Sequence, residues 1–528
     1  MNGSIQCRLR AGGVAALVLL GFTVPGIASG QTWSGAGGDS NWSTPGNWVG
    51  GVAPASGNAT IVNFVTAASG FVSTVDAPFT LNRLNLLGTA AYTLGGAAIS
   101  FDGVAPQLTL GGPYALANDL SFLVTTLIDA QTSQVLTGQV AGPAGLTKAG
   151  TGRLTLAGSP LTWGGSTTVS AGTLQIGNGT TGPNFFASPI VVDGEIDFAG
   201  TVPGTNVANS LSGTGTVTVS GGTMTGSGPA WTHSGATNIT GGTLSATINS
   251  PGRLTVTGTG VLQTGDSAFG SLSDGAIPGT GSVFSNATAI TVGSDNTSTT
   301  FSGTLAGAGG LTKVGAGTFT IGGASMPMTG VLTVNGGRVN LLASGGGGAI
   351  VNGGGTLGGT GTISGPVTVN AGGTLAPGLS PGIINTGNLV LAGIFLVEIE
   401  GTTLGTQYDN TNVTGTVNVA GATLTLAGAY VPQLGDTFTI IANDGADAVT
   451  GTFAGLAEGA TLTLNGSTLR ITYAGGTGND VVLVTTAAAA PASAPGVPTL
   501  SEWGLLILAL LTGGIGMVAA SRRLSNRS

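Results

Sequence analysis

The stretch that decides the fold is Gly145-Leu-Thr-Lys-Ala-Gly-Thr-Gly-Arg-Leu-Thr-Leu-Ala-Gly158, which returns as Gly310-Leu-Thr-Lys-Val-Gly-Ala-Gly-Thr-Phe-Thr-Ile-Gly-Gly323. The two copies align without a gap at an offset of 165 residues. The only two lysines of the chain, Lys148 and Lys313, occupy the same position of the repeat. Internal repetition of this kind is typical of repeat architectures such as solenoids.

A shorter period runs through the same region. Gly221-Gly222-Thr223-Met224 is followed 20 residues later by Gly241-Gly242-Thr243-Leu244. In the run Gly215-Thr-Val-Thr-Val219, alternation places Val217 and Val219 on one face of a strand. A unit of this length cannot bury its apolar face alone, but a stack of units can. We therefore predict one solenoid coil per unit, with glycine at corners that require a positive φ.

The composition excludes several classes of protein. The chain of 528 residues contains 100 glycines, yet it has no strict Gly-X-Y period, so it is not collagen-like. Disorder is a poor interpretation because 41% of the residues are hydrophobic. Residues 31–496 hold seven basic and 19 acidic residues, with no basic cluster, so we expect no nucleic-acid partner. No phosphate loop, dinucleotide fingerprint or zinc motif is present, and we expect no cofactor.

The N-terminus has the three parts of a secretory signal. Arg8 and Arg10 precede the apolar run 14–24, and the small residues 28–30 offer a cleavage site before Gln31. A retained membrane anchor is the alternative, but the run is short for one. We predict that residues 1–30 are a signal peptide, whose removal also removes Cys7, the only cysteine.

The C-terminus has a second three-part pattern. The segment Val497-Pro498-Thr499-Leu500-Ser501-Glu502-Trp503-Gly504 precedes an uncharged apolar run, residues 505–520, and three arginines follow within residues 521–528. A single-pass anchor would explain the apolar run and the basic end. The order of the three parts is more specific than an anchor requires. Residues 487–496, rich in Ala and Pro, are predicted to be a linker.

Both patterns resemble known families. The 145–158 and 310–323 copies are similar to the autotransporter-associated β-strand repeat, which implies a right-handed parallel β-helix passenger on a bacterial surface. Residues 497–528 resemble the IPTL-CTERM sorting domain, with Val497 in place of the first Ile. That resemblance implies transient anchoring in the inner membrane, handling by an exosortase-type enzyme and display on a Gram-negative cell. No C-terminal translocator barrel is expected, since only about 40 residues follow Leu483.

The predicted fold is all-β: a right-handed parallel β-helix with a C-terminal β-region and a single C-terminal hydrophobic helix. We expect an N-terminal Trp-rich cap at 31–60, the repeat region at 61–388 and a terminal β-region at 389–486 that continues or caps the helix. The cap contains Trp33, Trp42 and Trp48, three of the six tryptophans. Exposed indoles could instead stack on sugar rings.

Four acidic residues are candidate calcium ligands. Asp193, Glu195 and Asp197 would project from one face of a strand, where they could bind Ca²⁺ or form an acid/base set, although a solvated outer face is the simpler interpretation. Asp480 lies in Gly475-Gly-Thr-Gly-Asn-Asp-Val-Val-Leu483, a single copy of a calcium-binding nonapeptide pattern that needs consecutive copies. The lone histidine, His233, has no acidic residue near it in sequence, which disfavours a catalytic triad.

These features favour a noncatalytic, surface-displayed protein with a structural or adhesive role. Its expected partners are the sorting enzyme, the membrane before processing, and surface glycans or other cells. The alternative is a β-helix polysaccharide lyase or hydrolase. Such an enzyme needs convergent acidic and basic groups in a groove, and the sparse charge of this chain disfavours it.

Overall fold

The computed structural model describes residues 30–65, 72–179, 189–200, 205–207, 210–226, 228–286, 289–490 and 500–524. Residues 1–29 of the predicted signal peptide, residues 491–496 of the linker, and Val497, Pro498 and Thr499 lie outside these ranges. The chain divides into two compact units, Met1–Gly309 and Gly310–Ser528.

Unit 1 is a parallel β-solenoid whose strands form four sheets, named A to D here. Sheet A contains Gln31–Thr32, Ile61–Phe64, Arg83–Leu86, Gln107–Leu110, Thr126–Ala130, Leu146–Ala149, Thr167–Val169, Ile190–Val192 and Leu211–Ser212. Sheet B contains Val72–Val75, Tyr92–Gly96, Tyr114–Leu116, Gln134–Leu136, Arg153–Leu156, Thr173–Ile176, Glu195–Ala199, Thr216–Gly221, Thr237–Ile239, Asn249–Val256, Ser267–Ser273 and Ala289–Val292.

The third side of the coils is shared by two sheets. Sheet C contains Phe79–Leu81, Ile99–Phe101, Leu120–Phe122, Val140–Gly142 and Leu161–Trp163. Sheet D contains Thr205–Val207, Thr223–Gly226, Thr243–Ser245, Val261–Thr264, Ser282–Ser285 and Thr304–Ala306. Thr299–Phe301 is a further short strand, and Pro45–Asn47 is a 3₁₀ turn.

The register confirms the predicted period of one coil. Arg153 lies opposite Thr173, and Leu120 lies opposite Val140, so paired residues of unit 1 are 20 apart at these positions. Alternation along the strands decides which side chains are buried. Val217 and Val219 are fully buried, whereas Thr216 and Thr218, which alternate with them, are half-exposed. The core of unit 1 is therefore a stack of inward-facing aliphatic and aromatic side chains.

Unit 2 repeats the design with three sheets, named E to G here. Sheet E contains Gly310–Lys313, Leu332–Val334, Ala349–Val351, Val367–Val369, Leu389–Leu391 and Val417–Asn418. Sheet F contains Thr318–Ile321, Gly337–Leu341, Gly355–Gly359, Thr374–Pro377, Ile394–Glu398 and Thr423–Ala427. Sheet G contains Ser325–Met326, Ser344–Gly345, Thr362–Ile363, Ile383–Thr386, Asn410–Val413, Thr437–Asn443, Asp480–Ala487, Ser467–Gly475 and Thr461–Leu464.

The last strands of sheet G end the solenoid. Pairing is parallel up to Thr437–Asn443 and antiparallel from there through Asp480–Ala487, Ser467–Gly475 and Thr461–Leu464. Phe453, in the preceding connection, stacks on Phe395 of the core with ring centroids 6.1 Å apart. An antiparallel meander of this kind covers a solenoid end that would otherwise pair with other chains.

The N-terminal end of unit 1 is closed by aromatic packing. Trp33, Trp42 and Trp48 are each at most 2% exposed. Trp33 stacks on Phe64 at 5.7 Å and meets Trp48 edge-to-face at 5.0 Å. The Trp42 indole N–H donates to Ser73 Oγ at 2.7 Å. Because these indoles are buried, they offer no exposed ring on which a sugar could stack.

Candidate functional site

The two repeat lysines are buried inside the solenoid. Lys148 is fully buried at the inner face of sheet A, between Ile128 and Val169 of the neighbouring coils. Its ammonium donates to the carbonyl oxygens of Ala149 and Gly150 at 2.8 Å each, and to that of Ala171 at 2.9 Å. The first acceptor ends the strand of the lysine, the second lies in the corner after it, and the third belongs to the corner of the next coil. Lys148 therefore joins two successive corners.

Lys313 repeats this arrangement in unit 2. It is 1% exposed, and its ammonium donates to the carbonyl oxygens of Val314 at 2.5 Å, Gly315 at 2.9 Å and Gly336 at 3.3 Å. The acceptors follow the lysine by one, two and 23 residues, as they do at Lys148. The two copies of the repeat therefore share a set of lysine hydrogen bonds as well as a sequence pattern.

Burial and the charge of Asp129 act on the pKa of the Lys148 ammonium in opposite directions. Desolvation lowers the pKa of Lys148 to about 8, and the charge of Asp129 opposes that change. A pKa of about 8 leaves the ammonium mostly protonated at neutral pH, where it supplies three donors to three carbonyls. The ammonium thereby supplies a donor to three backbone carbonyl oxygens inside the core.

The C-terminal segment forms the one helix longer than a turn among the described residues, Leu500–Leu524. Trp503, the aromatic residue of the predicted sorting motif, is 51% exposed, and Gly504 follows it in the first turn. Further along, the helix exposes large apolar side chains: Leu505, Leu506, Ile507, Leu508, Leu510, Leu511, Ile515 and Met517. Exposed apolar surface of this extent marks a segment meant for a partner or a lipid phase.

Within the described residues, no helix combines the length and the apolar character that crossing a membrane requires.

Comparison with protein families gives matches both in the repeats that contain the lysines and in the C-terminal segment. Residues 146–176 and 311–341 match the Passenger-associated-transport-repeat model, and residues 495–523 match the IPTL-CTERM motif. The chain carries two passenger-associated repeats and an IPTL-CTERM tail. A comparison with curated proteins gives no match.

Each passenger-associated repeat contains the whole hydrogen-bond set of its lysine. The match at 146–176 includes Lys148 and the next-coil acceptor Ala171, and the match at 311–341 includes Lys313 and Gly336. The matched segment is therefore one coil plus the first two strands of the next coil. The repeat lysine was not among the site residues predicted from the sequence. The sequence did contain a signal that the lysine is buried, because Leu146 and Lys148 share a face of one strand and Leu146 points inward.

We expect Lys148→Met to destabilise the passenger-associated repeat. The methionine fills nearly the same volume but leaves three buried carbonyl oxygens without a donor, and relief of the buried charge offsets only part of that loss. The expected loss is about 2 kcal/mol of unfolding free energy. Denaturant unfolding of the full chain would measure it.

Arg470→Met is the matched control, since Arg470 is exposed on a strand of unit 2 and loses the same charge. An Arg470→Met loss as large as that of Lys148→Met would contradict a specific role for the buried ammonium.

The acidic cluster is not arranged as the sequence suggested. Asp193 does not lie on a strand with Glu195 and Asp197, and that part of the prediction is wrong. Asp193 and Gly194 form the bend between Ile190–Val192 and Glu195–Ala199. A Cβ on Gly194 would come within 2.6 Å of the Gly172 carbonyl, so the coils approach closely at this corner.

Each of the three carboxylates is bonded to protein groups. Asp193 accepts from the backbone N–H and hydroxyl of Thr214, both at 3.0 Å. Glu195 accepts from two threonine hydroxyls at 2.9 and 3.0 Å. Asp197 forms an ion pair with Arg153 at 2.9 Å and accepts from Ser220 at 2.6 Å. Groups of other coils therefore satisfy all three acids, and Arg153 also balances the charge of Asp197.

Asp480 also differs from the calcium pattern. The nonapeptide turn joins two antiparallel strands, whereas the predicted pattern is built between consecutive parallel coils. The Asp480 carboxylate accepts the backbone N–H of Asn443 at 2.9 Å and that of Thr477 at 3.3 Å. Among the described residues, no group of three or more His, Cys, Asp or Glu side chains is placed to hold a metal ion. The structure therefore does not bring the predicted calcium ligands together.

His233 is a core residue of unit 1. It is fully buried, and its Nε2 lies 2.9 Å from the Thr237 hydroxyl. Ser234, the adjacent hydroxyl, donates to the Gly213 carbonyl. Burial lowers the pKa of His233 to about 4, so the imidazole is neutral in the folded protein. Its inaccessibility disfavours a role in proton transfer to a substrate.

The low pKa of His233 predicts a loss of stability on acidification. Between about pH 6.5 and pH 4 the unfolded chain binds a proton on this residue and the folded chain does not, so the free energy of unfolding falls as the pH drops. The shift corresponds to about 3 kcal/mol. Denaturant unfolding at pH 7 and pH 4 should show a smaller difference for His233→Asn than for the wild type. If His233→Asn and the wild type lost the same free energy of unfolding between pH 7 and pH 4, burial of a neutral His233 would not be a source of the acid sensitivity.

Proposed function

We propose that the chain is a noncatalytic protein displayed on the surface of a Gram-negative bacterium, with a structural or adhesive role. The observation that carries this proposal is the combination of passenger-associated repeats with an IPTL-CTERM tail in one chain. Repeats of that description are associated with exported passengers, and the tail is a C-terminal sorting signal. The parallel solenoid supplies a regular, repeating surface for such a role.

Each segment of the chain has its own role in export and display. Residues 1–30 direct export through the general secretory route, and the helix from Leu500 holds the chain transiently in the inner membrane. An exosortase-type enzyme then recognises the segment 497–504 and releases the solenoid. The exposure of Trp503 and Gly504 supports recognition of this segment, because a recognition segment must be accessible to a membrane enzyme.

Cell fractionation tests the proposal. The full chain should be found at the cell surface, shortened at its C-terminus, whereas a chain lacking residues 497–528 should fail to reach it. Protease accessibility of intact cells gives the location, and mass spectrometry gives the mature C-terminus. Surface-exposed protein that still ends in Ser528 would refute processing.

A further inference from the structure

A shallow cleft lies at the C-terminal ends of the sheet D strands. It is named the sheet D cleft here and is lined by Gly226, Ser245, Ala246, Thr247, Gln263, Thr264, Gly265 and Asn286. Its volume is about 210 Å³, and no charged residue lines it. Pockets for drug-sized ligands begin at about 300 Å³, so the sheet D cleft suits a smaller group such as a single sugar ring.

The polar side chains at this cleft are free to bind. Ser245, Thr247, Gln263 and Asn286 form no side-chain hydrogen bond with any other described residue. None of the four is buried, so each is available from solvent. Together they offer two hydroxyls and two amides, and each amide presents a donor and an acceptor side by side.

An aromatic side chain extends the same face. Gln263 lies opposite Ser245 on one side and Phe284 on the other, in three adjacent strands of sheet D. Phe284 is half-exposed, whereas its neighbours Val283 and Ser285 are buried, so Phe284 faces outward beside Gln263. Neighbouring strands are about 4.8 Å apart, which brings the ring and the amide within reach of one ligand.

We infer that the sheet D cleft binds a neutral saccharide. Adjacent donors and acceptors match the vicinal hydroxyls of a sugar, and the Phe284 ring offers a surface for the apolar face of the ring. A charged ligand would find no counter-ion among the lining residues. The inference deepens the proposed adhesive role, on which its biological meaning rests, by naming the class of ligand and the residues.

The test measures binding of maltotriose, cellotriose and triacetylchitotriose to the purified full chain by calorimetry and ligand-observed NMR. Any detergent used to keep the purified chain in solution must have no sugar headgroup, since an alkyl maltoside would compete with the trisaccharides for the cleft. We expect at least one of these neutral trisaccharides to bind and trigalacturonate to bind more weakly. Gln263→Ala and Phe284→Ala should each weaken binding at least about fivefold.

Gln107→Ala is the matched control, because Gln107 projects from sheet A, is half-exposed and forms no side-chain hydrogen bond with another described residue. It should leave binding unchanged. The inference is overturned if no neutral trisaccharide binds at about 10 mM, if trigalacturonate binds equally well, or if Gln263→Ala and Phe284→Ala both bind as the wild type does. Adhesion of whole cells expressing wild type and Gln263→Ala, assayed separately, distinguishes failure of this site from failure of the adhesive role.

Discussion

Gly150→Val is expected to prevent stable folding of the repeat that contains it. Gly150 has φ +76°, in the left-handed region that a β-branched residue adopts only under strain. A Cβ at this position would also lie 2.4 Å from the Ala130 carbonyl oxygen of the preceding coil, which cannot move without shifting the strand pairing. We expect a loss of more than about 4 kcal/mol of unfolding free energy.

Thr155→Val in the same coil is the matched control. Thr155 lies on the strand Arg153–Leu156, where a β-branched residue fits, and its hydroxyl donates one hydrogen bond, to Gln175 at 3.2 Å. The change should stay within about 1 kcal/mol. Thermal melts of both variants, followed by far-UV circular dichroism, would measure the difference. Equal melting temperatures would contradict the assignment of Gly150 to a corner.

The corner and the coil were predictable because local chemistry decides them. A glycine that recurs between runs of alternating residues marks a positive φ, and the period of about 20 residues is the length of one coil. Alternation also predicted which valines are buried. These features depend on residues close in sequence, or on neighbours one coil away, so the sequence carries them directly.

The lysine pair shows where prediction stopped short. A lysine in a sequence with only 6% charged residues suggests a solvated position, but strand parity places Lys148 inside with Leu146. Its three acceptors come from two successive coils, and the acceptor in the second coil, Ala171, lies 23 residues after the lysine. The sequence shows that the lysines recur, but only the coil geometry shows which carbonyl oxygens they satisfy.

The acidic candidates were misplaced for a related reason. Asp193-Gly194 is a turn signal, yet its Asp also fits the alternation that continues into Glu195 and Asp197. Asp193 and Gly194 form a corner rather than part of the strand, because adjacent coils need a glycine where their backbones approach. At Asp480, one nonapeptide copy and a glycine-rich hairpin turn look alike in sequence, and only the antiparallel pairing distinguishes them. The charged groups are thus better explained by the coil than by a metal.

Replacing Pro498, Thr499 and Leu500 by alanine is expected to trap the full-length protein in the inner membrane. The alternative is that the apolar segment is only an anchor. An anchor needs hydrophobicity, which three alanines outside the apolar run leave intact, so location would not change. Recognition by a sorting enzyme needs the motif itself, because a rigid proline and defined side chains present the chain to a pocket. The apolar run of 16 residues, 505–520, also contains three glycines and is marginal for a permanent anchor.

The control carries Pro491→Ala and Ser493→Ala, which alter the linker just before the matched tail and should leave sorting unchanged. Fractionation and mass spectrometry of the C-terminus would follow all three proteins. In the wild type and the control we expect shortened protein at the surface and little in the inner membrane. In the motif variant we expect the surface signal to be lost and a peptide ending in Ser528 to be recovered from the inner membrane. Normal surface display of the motif variant would leave the segment 497–504 without a recognition role, since hydrophobicity alone would then account for the behaviour of the tail.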